Sequence, residues 1–290
     1  MVMRSALVVG GDGLIARSLT AHLTTHSWQV TCTSRREKLT ANWLQFDLND
    51  GVDSLSKSLS QPAEVVFICA ALTGYAPCAN DPIGSRQVNV IRTVELGRHF
   101  MRQGARIVYL SSNAVFDGTH QQIDERAPTN PITEYGRQKA DCESALLHAS
   151  TELPGSCVVV RLTKVVDKVQ PLFSGWMQNF NAQIPVKAAI DLVVCPVTTT
   201  YVATALQFIA SSASVGVFHL SGERDMTYHE LATAVASIFG EGCAVEMDFV
   251  QKRLGAVPSP SHSALSMART TASLGLKPQH LTEVARELTG

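Results

Sequence analysis

The first 160 residues alternate between two hydrophobic periods. Compact apolar runs at Ser5–Val9, Gln29–Ser34, Trp43–Phe46, Glu64–Ala71, Arg106–Leu110 and Ser156–Leu162 are short and rich in Val, Ile, Cys and aromatic side chains, which predicts strands. Helical patterns lie between them, at Arg17–Thr25, at Ile83–Gln103 and in the stretch that carries Tyr135 and Lys139. Leu72–Pro82, with Gly74, Pro77 and Pro82, predicts an irregular loop, and Val115–Thr133 predicts another. Strand and helix in alternation, joined by right-handed crossovers, build an α/β fold with a doubly wound parallel sheet of the Rossmann type. Its ligand crevice lies at the carboxyl ends of the strands.

After Arg161 the pattern loosens. Lys164–Ile190, with Pro171, Phe173, Trp176 and Phe180, predicts a helix with flanking loops, and Val197–Ala210 predicts another helix. Val217–Ser221 reads as a strand, after which Thr227 caps an amphipathic helix His229–Phe239. The tail from Gln251, with Pro258 and Pro260, ends in short helical patterns at Met267–Leu274 and Thr282–Leu288. The expected organisation is a dinucleotide-binding domain over 1–163, with segments around 191–222 returning to it. A smaller C-terminal substrate lobe is expected from 164–190 and 223–290.

Composition narrows the class. A hydrophobic content of 45% supports a sizeable core, and a net charge of −1 with 17% charged residues points away from nucleic acid and anionic membranes. Apolar runs break well short of the ~20 residues that span a bilayer. Met1–Gly10 lacks the apolar core and cleavage site of an export signal and reads as a first strand. Seven cysteines without a CxxC pair suit reduced thiols in a cytoplasm, with Cys32, Cys69 and Cys157 as buried small hydrophobes. No metal site is expected.

The candidate chemistry sits at the strand ends. Gly10-Gly-Asp-Gly13-Leu-Ile-Ala16 follows the first strand and opens a helix; Gly10 and Gly13 permit a tight turn, and Ala16 permits close packing, so a pyrophosphate can rest on the helix N-terminus. The second strand ends in Arg35-Arg36 with no Asp or Glu at the strand end itself, which favours a ribose 2′-phosphate; the alternative is a solvated turn. Asp47 is placed to accept from an adenine amino group, and Leu48 to offer backbone and apolar surface. Ala70 and Ala71 leave room for a dinucleotide. Asn89 either supports the site from behind or caps a local bend. The fifth strand delivers Ser111 and Ser112, and Tyr135 with Lys139 at i,i+4 share a helix face. At ~4 Å and an effective dielectric of ~20, the ammonium would attract a phenolate by roughly 4 kcal/mol before desolvation, enough to lower the phenol pKa by about two units. Tyr135 would then exchange a proton with a carbonyl or alcohol whose oxygen Ser112 holds.

These residues, in this order, resemble the extended short-chain dehydrogenase/reductase family, the NAD(P)-dependent sugar-nucleotide epimerases, dehydratases and reductases. SSNAVFDG followed by YGRQKADCE is most similar to the dTDP-4-dehydrorhamnose reductase branch. The resemblance implies catalysis by Ser112, Tyr135 and Lys139, with Tyr135 and Lys139 also contacting the cofactor. It implies a cofactor site that includes Gly10, Gly13, Leu14, Ile15, Arg35, Arg36, Asp47, Leu48, Ala70, Ala71 and Leu162, with NADP(H) favoured and NAD(H) possible. Thr73, Asn113 and Lys164 are the implied substrate contacts, and a homodimer the implied assembly.

Two departures bear on the substrate. Asn113-Ala114 follow Ser112 where dehydratases carry an acid, which demotes elimination. The chain has no arginine between Arg161 and Arg224, so Lys164, Lys168, Lys187 or Lys252 with Arg253 must grip a nucleotide diphosphate, or the substrate is not a nucleotide sugar. The leading expectation is NADPH-dependent reduction of a keto group on a nucleotide-linked deoxysugar or similar polyol. The alternatives are an NAD-dependent 4-epimerase and a non-catalytic, cofactor-binding regulatory subunit.

Overall fold

Seven strands of the computed structural model form a parallel sheet. β1 (Ser5–Val9), β2 (Gln29–Ser34), β3 (Trp43–Gln45), β4 (Val65–Ile68), β5 (Arg106–Ser112) and β6 (Ser156–Leu162) are joined late in the chain by Gly216–Leu220. From the late strand the order runs β6, β5, β4, β1, β2, β3, so the chain reverses direction across the sheet between β1 and β4. That reversal opens a crevice beyond the carboxyl ends of these two strands. The structure describes residues 4–37, 40–250 and 260–290; the predicted Lys252–Arg253 pair and Pro258 lie outside them.

The chain divides into two compact units. The first comprises Met1–Phe116, Pro128–Arg161 and Val202–Phe218; the second comprises Asp117–Ala127, Leu162–Tyr201 and His219–Gly290. These boundaries differ from the expected ones. Asp117–Ala127 goes with the second unit, because Gly118 O accepts from His262 N at 2.9 Å and Ile123 O accepts from Ser266 N at 3.0 Å. Only 202–218, not 191–222, returns to the first.

In the first unit, Gly13 caps α1 (Leu14–Thr25), which therefore starts three residues before the predicted Arg17. α2 (Val52–Ser58) follows β3 and carried no periodic signal strong enough to predict it. The expected loop after β4 contains α3 (Tyr75–Asn80). The predicted Ile83–Gln103 helix is a continuous rod in three parts: α4 (Pro82–Arg86), a wide π-type turn at Gln87–Arg92, and α5 (Thr93–Arg102). α6 (Glu134–Glu152) carries Tyr135 and Lys139. Leu7, Val66, Ile68, Phe100, Ile107, Tyr109, Leu146 and Val159 fill one core between sheet and helices.

The second unit is less regular, and three short pairings in it lay below the resolution of the sequence pattern. β7 (Lys164–Val166) and β8 (Val186–Ala189) flank α7 (Pro171–Asn181), where one helix with loops was expected. β9 (Val193–Val194) and β10 (Pro196–Thr198) precede α8 (Thr199–Ser211), so the predicted Val197–Ala210 helix starts late. Most of α8 and of β11 (Gly216–Leu220) belongs to the first unit, whose large sheet β11 completes, and in the second unit β12 (Met226–Thr227) pairs with β9. Thr227 caps α9 (Tyr228–Phe239) as predicted, in a reciprocal box with Glu230. β13 (Val245–Asp248) pairs with β8, and α10 (Ala268–Leu274) and α11 (Leu281–Thr289) close the unit. Phe173, Trp176, Phe180, Leu231, Val235 and Val284 form its core. Among the described residues no helix is long and apolar enough to cross a membrane.

None of the seven cysteines is in a disulfide. Burial pushes the Cys142 and Cys195 thiols up to about 11 and the Cys69 and Cys157 thiols up to about 12. An unfolded thiol ionises near about 8.5, so above that pH the folded chain binds more protons than the unfolded one. Stability is therefore full below about pH 8.5 and drains away as the pH climbs toward 11–12. Thermal midpoints measured with a reductant present are expected to fall steadily through that window; a flat profile would exclude these thiols as contributors.

Candidate active site

The carboxyl ends of β1, β2, β4 and β5 carry the candidate chemistry. After Val9 the chain turns through Gly10, whose φ of +85° disfavours any side chain. A Cβ there would lie 2.8 Å from Ala70, so the bare glycine and the small alanine require each other. Gly10 N donates to Thr33 Oγ1 at 3.0 Å and Gly11 N to Thr33 O at 2.8 Å, pinning the turn to β2. Gly11 is equally constrained, since a Cβ on it would lie 2.8 Å from the Trp43 ring. Gly13 then caps α1 without a side-chain acceptor, leaving the first-turn N–H groups, which include those of Leu14 and Ile15, to an outside anion. This cradle fits the pyrophosphate of a dinucleotide.

At the end of β2, Ser34 is buried; its hydroxyl donates to Asp12 Oδ2 at 2.5 Å and accepts from Arg36 N at 3.0 Å. Arg35 and Arg36 are exposed. The expected absence of an acid at this strand end is thus corrected: the glycine turn supplies one. Asp47 spends Oδ1 on its own turn, accepting from Asn49 N at 2.9 Å and Asn49 Nδ2 at 3.2 Å. Leu48 is buried in the core, so it offers no apolar side-chain surface to a ligand.

At the end of β5, Ser112 Oγ accepts from Ala114 N at 3.1 Å and donates to Asn113 Oδ1 at 3.3 Å, and its hydroxyl lies close enough to the Tyr135 phenol to favour the phenolate. Thr133 caps α6 through Gly136 N at 3.0 Å, which aims Tyr135 at the strand end. The Tyr135 phenol is pushed well above its ordinary range by burial first, then by the nearby Tyr75 and Cys78; the Ser112 hydroxyl opposes this. The lowered pKa expected from Lys139 is therefore not what this geometry produces. Lys139 Nζ lies 5.9 Å from the centre of the Tyr135 ring, donates to Leu110 O at 2.8 Å and sits 4.6 Å over the Tyr109 ring. Burial lowers the pKa of its ammonium, with Cys142 and Glu143 acting in the opposite direction.

Two buried networks hold this end in place. Asn89, in the π-type turn, clamps Leu72 through both backbone groups at 2.8 and 2.9 Å and donates to Gln138 Oε1 at 2.8 Å. Its amide ties the β4 loop to α6, which is the supporting alternative rather than the capping one. Glu143, one turn beyond Lys139, accepts from Ser111 Oγ and forms a bidentate pair with Arg161 at 2.7–3.1 Å.

Residues 3–289 match the RmlD substrate binding domain family. The chain belongs to this family. Its relatives and structural neighbours include sugar-nucleotide reductases and epimerases. Similar curated proteins include the methionine adenosyltransferase 2 subunit beta of Xenopus tropicalis, 25% identical over 92% of this chain and 81% of the relative. Another is a dTDP-4-dehydrorhamnose reductase of Streptomyces griseus, 26% identical over 94% and 88%. Among solved structures, a dTDP-4-dehydrorhamnose reductase of Clostridium acetobutylicum superposes with a TM-score of 0.82 at 19% identity, covering 98% of both chains. MoeE5 in complex with UDP-glucuronic acid and NAD does so with 0.81 at 22% identity, over 98% and 96%.

For this RmlD-family chain, Ser112, Tyr135 and Lys139 lie together as the spacing predicted, with Asn113 half-buried in the adjoining turn. Ala71 is half-buried after β4, and Thr73 is exposed in the loop that follows it. Leu162 and Lys164 belong to the second unit. Sequence reasoning missed Gly11, Asp12, Thr33, Ser34, Tyr75, Gly136 and Glu143. Of these, Glu143 was findable, because it continues the i,i+4 face of Tyr135 and Lys139.

Gly136 makes the approach of α6 possible, since a Cβ on it would lie 2.0 Å from Ala114 O. Gly136→Ala is expected to cost about 1–3 kcal/mol, as overpacking does, and to lower turnover by up to about 100-fold through displacement of Tyr135. Urea unfolding and steady-state kinetics measure the two effects; wild-type values in both would show that the contact is soft.

Proposed function

We propose that this protein reduces a keto group on a nucleotide-linked deoxysugar or related substrate, with NADPH as the favoured donor. A bound nicotinamide supplies hydride to the carbonyl carbon. Tyr135 gives its proton to the carbonyl oxygen, and Ser112 holds that oxygen in line. The carrying observation is the placement of Tyr135 on the first turn of α6, aimed at the β5 end that presents Ser112, with burial pushing the phenol up, since a reductase needs its acid protonated at neutral pH. Lys139, whose Nζ donates to Leu110 O one turn along α6 from Tyr135, is the proposed contact to the nicotinamide ribose. Asn113 in place of an acid favours reduction over elimination. Thr73, Asn113 and Lys164 are the proposed substrate contacts, with Lys168 and Lys187 as further candidates for a diphosphate. The unpaired thiols suit a reducing cytoplasm, and a homodimer is the proposed assembly.

A second reading, a cofactor-binding subunit of another enzyme, is favoured by the relatives named as methionine adenosyltransferase subunits. The discriminating experiment offers purified protein a panel of nucleotide-linked keto-sugars with NADPH or NADH and follows thermal shift and nicotinamide absorbance. Consumption of cofactor with one keto-sugar is the expected result. Tightly retained NAD with interconversion of sugars and no consumption would make it an epimerase. Cofactor binding without turnover of any kind would move the protein to the subunit reading.

A further inference from the structure

The dinucleotide cradle contains a carboxylate that the local sequence of β2 does not supply. Asp12 lies in the glycine turn and Ser34 closes β2, 22 residues later. Strands β1 and β2 are parallel neighbours, with Ser5–Val8 in register with Gln29–Cys32. Their carboxyl ends therefore meet, and Asp12 comes to the place where a doubly wound sheet receives the adenosine ribose. One hydroxyl organises that place. Ser34 Oγ donates to Asp12 Oδ2 and accepts from the backbone N–H of Arg36, so the carboxylate and the chain that carries the arginine pair are joined through the same atom.

These two groups discriminate in opposite directions. A guanidinium attracts the dianionic 2′-phosphate of NADP(H), whereas a carboxylate repels it and accepts from the 2′-hydroxyl of NAD(H). Arg35 and Arg36 are exposed, so solvent screens their attraction, while Asp12 is half-buried against Ser34 and is screened less. We propose that Asp12 is a specificity-determining residue that offsets the arginine pair and keeps the site open to NADH as well as NADPH. The inference rests on the dinucleotide reading of the cradle. It deepens that reading by placing the selection of the 2′ group on the turn rather than on β2 alone.

The test is direct binding of NADH and NADPH to wild type, Asp12→Asn, Asp12→Ala and Arg35→Ala/Arg36→Ala, by titration calorimetry without substrate. Wild type is expected to bind the two cofactors within about tenfold of each other. Asp12→Asn and Asp12→Ala are expected to tighten NADPH by about tenfold, equivalent to about 1.4 kcal/mol, without tightening NADH. The double arginine variant should weaken NADPH alone. A ratio of NADPH to NADH affinity that is the same in wild type and both Asp12 variants overturns the inference and leaves the cradle reading intact. Failure of folded wild type to bind either cofactor overturns both. Circular dichroism of each variant establishes that the comparison is between folded proteins.

Discussion

Tyr135→Phe is expected to lower carbonyl reduction by about 10²- to 10⁴-fold, the range a positioned general acid contributes, while cofactor affinity stays within about threefold. The ring remains to pack against Tyr75, whose centroid lies 6.3 Å away, so the loss is confined to the hydroxyl and its proton. A protonated phenol is the resting form throughout the neutral range, because burial pushes its pKa upward. Turnover in wild type should accordingly show no fall between about pH 6 and 8 from loss of this acid. Steady-state kinetics with a reducible keto-sugar, alongside calorimetric titration of the cofactor, separates the two effects. Undiminished turnover in the variant would remove Tyr135 from the mechanism; equal losses of turnover and cofactor binding would make it a structural residue.

Glu143→Ala is expected to destabilise the fold by about 3–5 kcal/mol, the usual cost of leaving one member of a buried ion pair alone. Both side chains are at least 95% inaccessible, with exposures of 3% for Glu143 and 5% for Arg161. Arg161 would keep its buried charge on β6, and Ser111 would lose its acceptor next to the strand end that presents Ser112. Urea unfolding measures the cost. Glu143→Leu combined with Arg161→Met should recover much of it, because two apolar side chains leave no buried charge to compensate. A loss below about 1 kcal/mol for Glu143→Ala would mean that water reaches Arg161.

Much of the first unit is legible along the chain because its signals are short-range. Ser5–Val9 followed by Gly10, or Thr33-Ser34 followed by two arginines, reads correctly within a window of a few residues. Tyr135 and Lys139 share a helix face by spacing alone. Where elements are short or paired at a distance, the pattern fails. The two- and three-residue strands β9, β10 and β12 are too brief to show a period of two. α3 hides behind Pro77, which sits in its first turn, where a missing N–H costs little. The 117–127 segment contains turn residues that place it in a loop, and nothing local says that it joins the second unit.

By itself, the amino-acid sequence determined the order of strands and helices, the glycine turn at the first strand end and the set of Ser112, Tyr135 and Lys139. Backbone stereochemistry and side-chain periodicity act over a few residues, so these features are written locally. Only the tertiary structure decided which way the Tyr135 pKa moves, because desolvation depends on what Tyr75, Cys78 and the helix above them cover. It also brought Asp12 to Ser34 and Glu143 to Arg161, since those meetings require the parallel pairing of strands and the packing of α6 against the sheet.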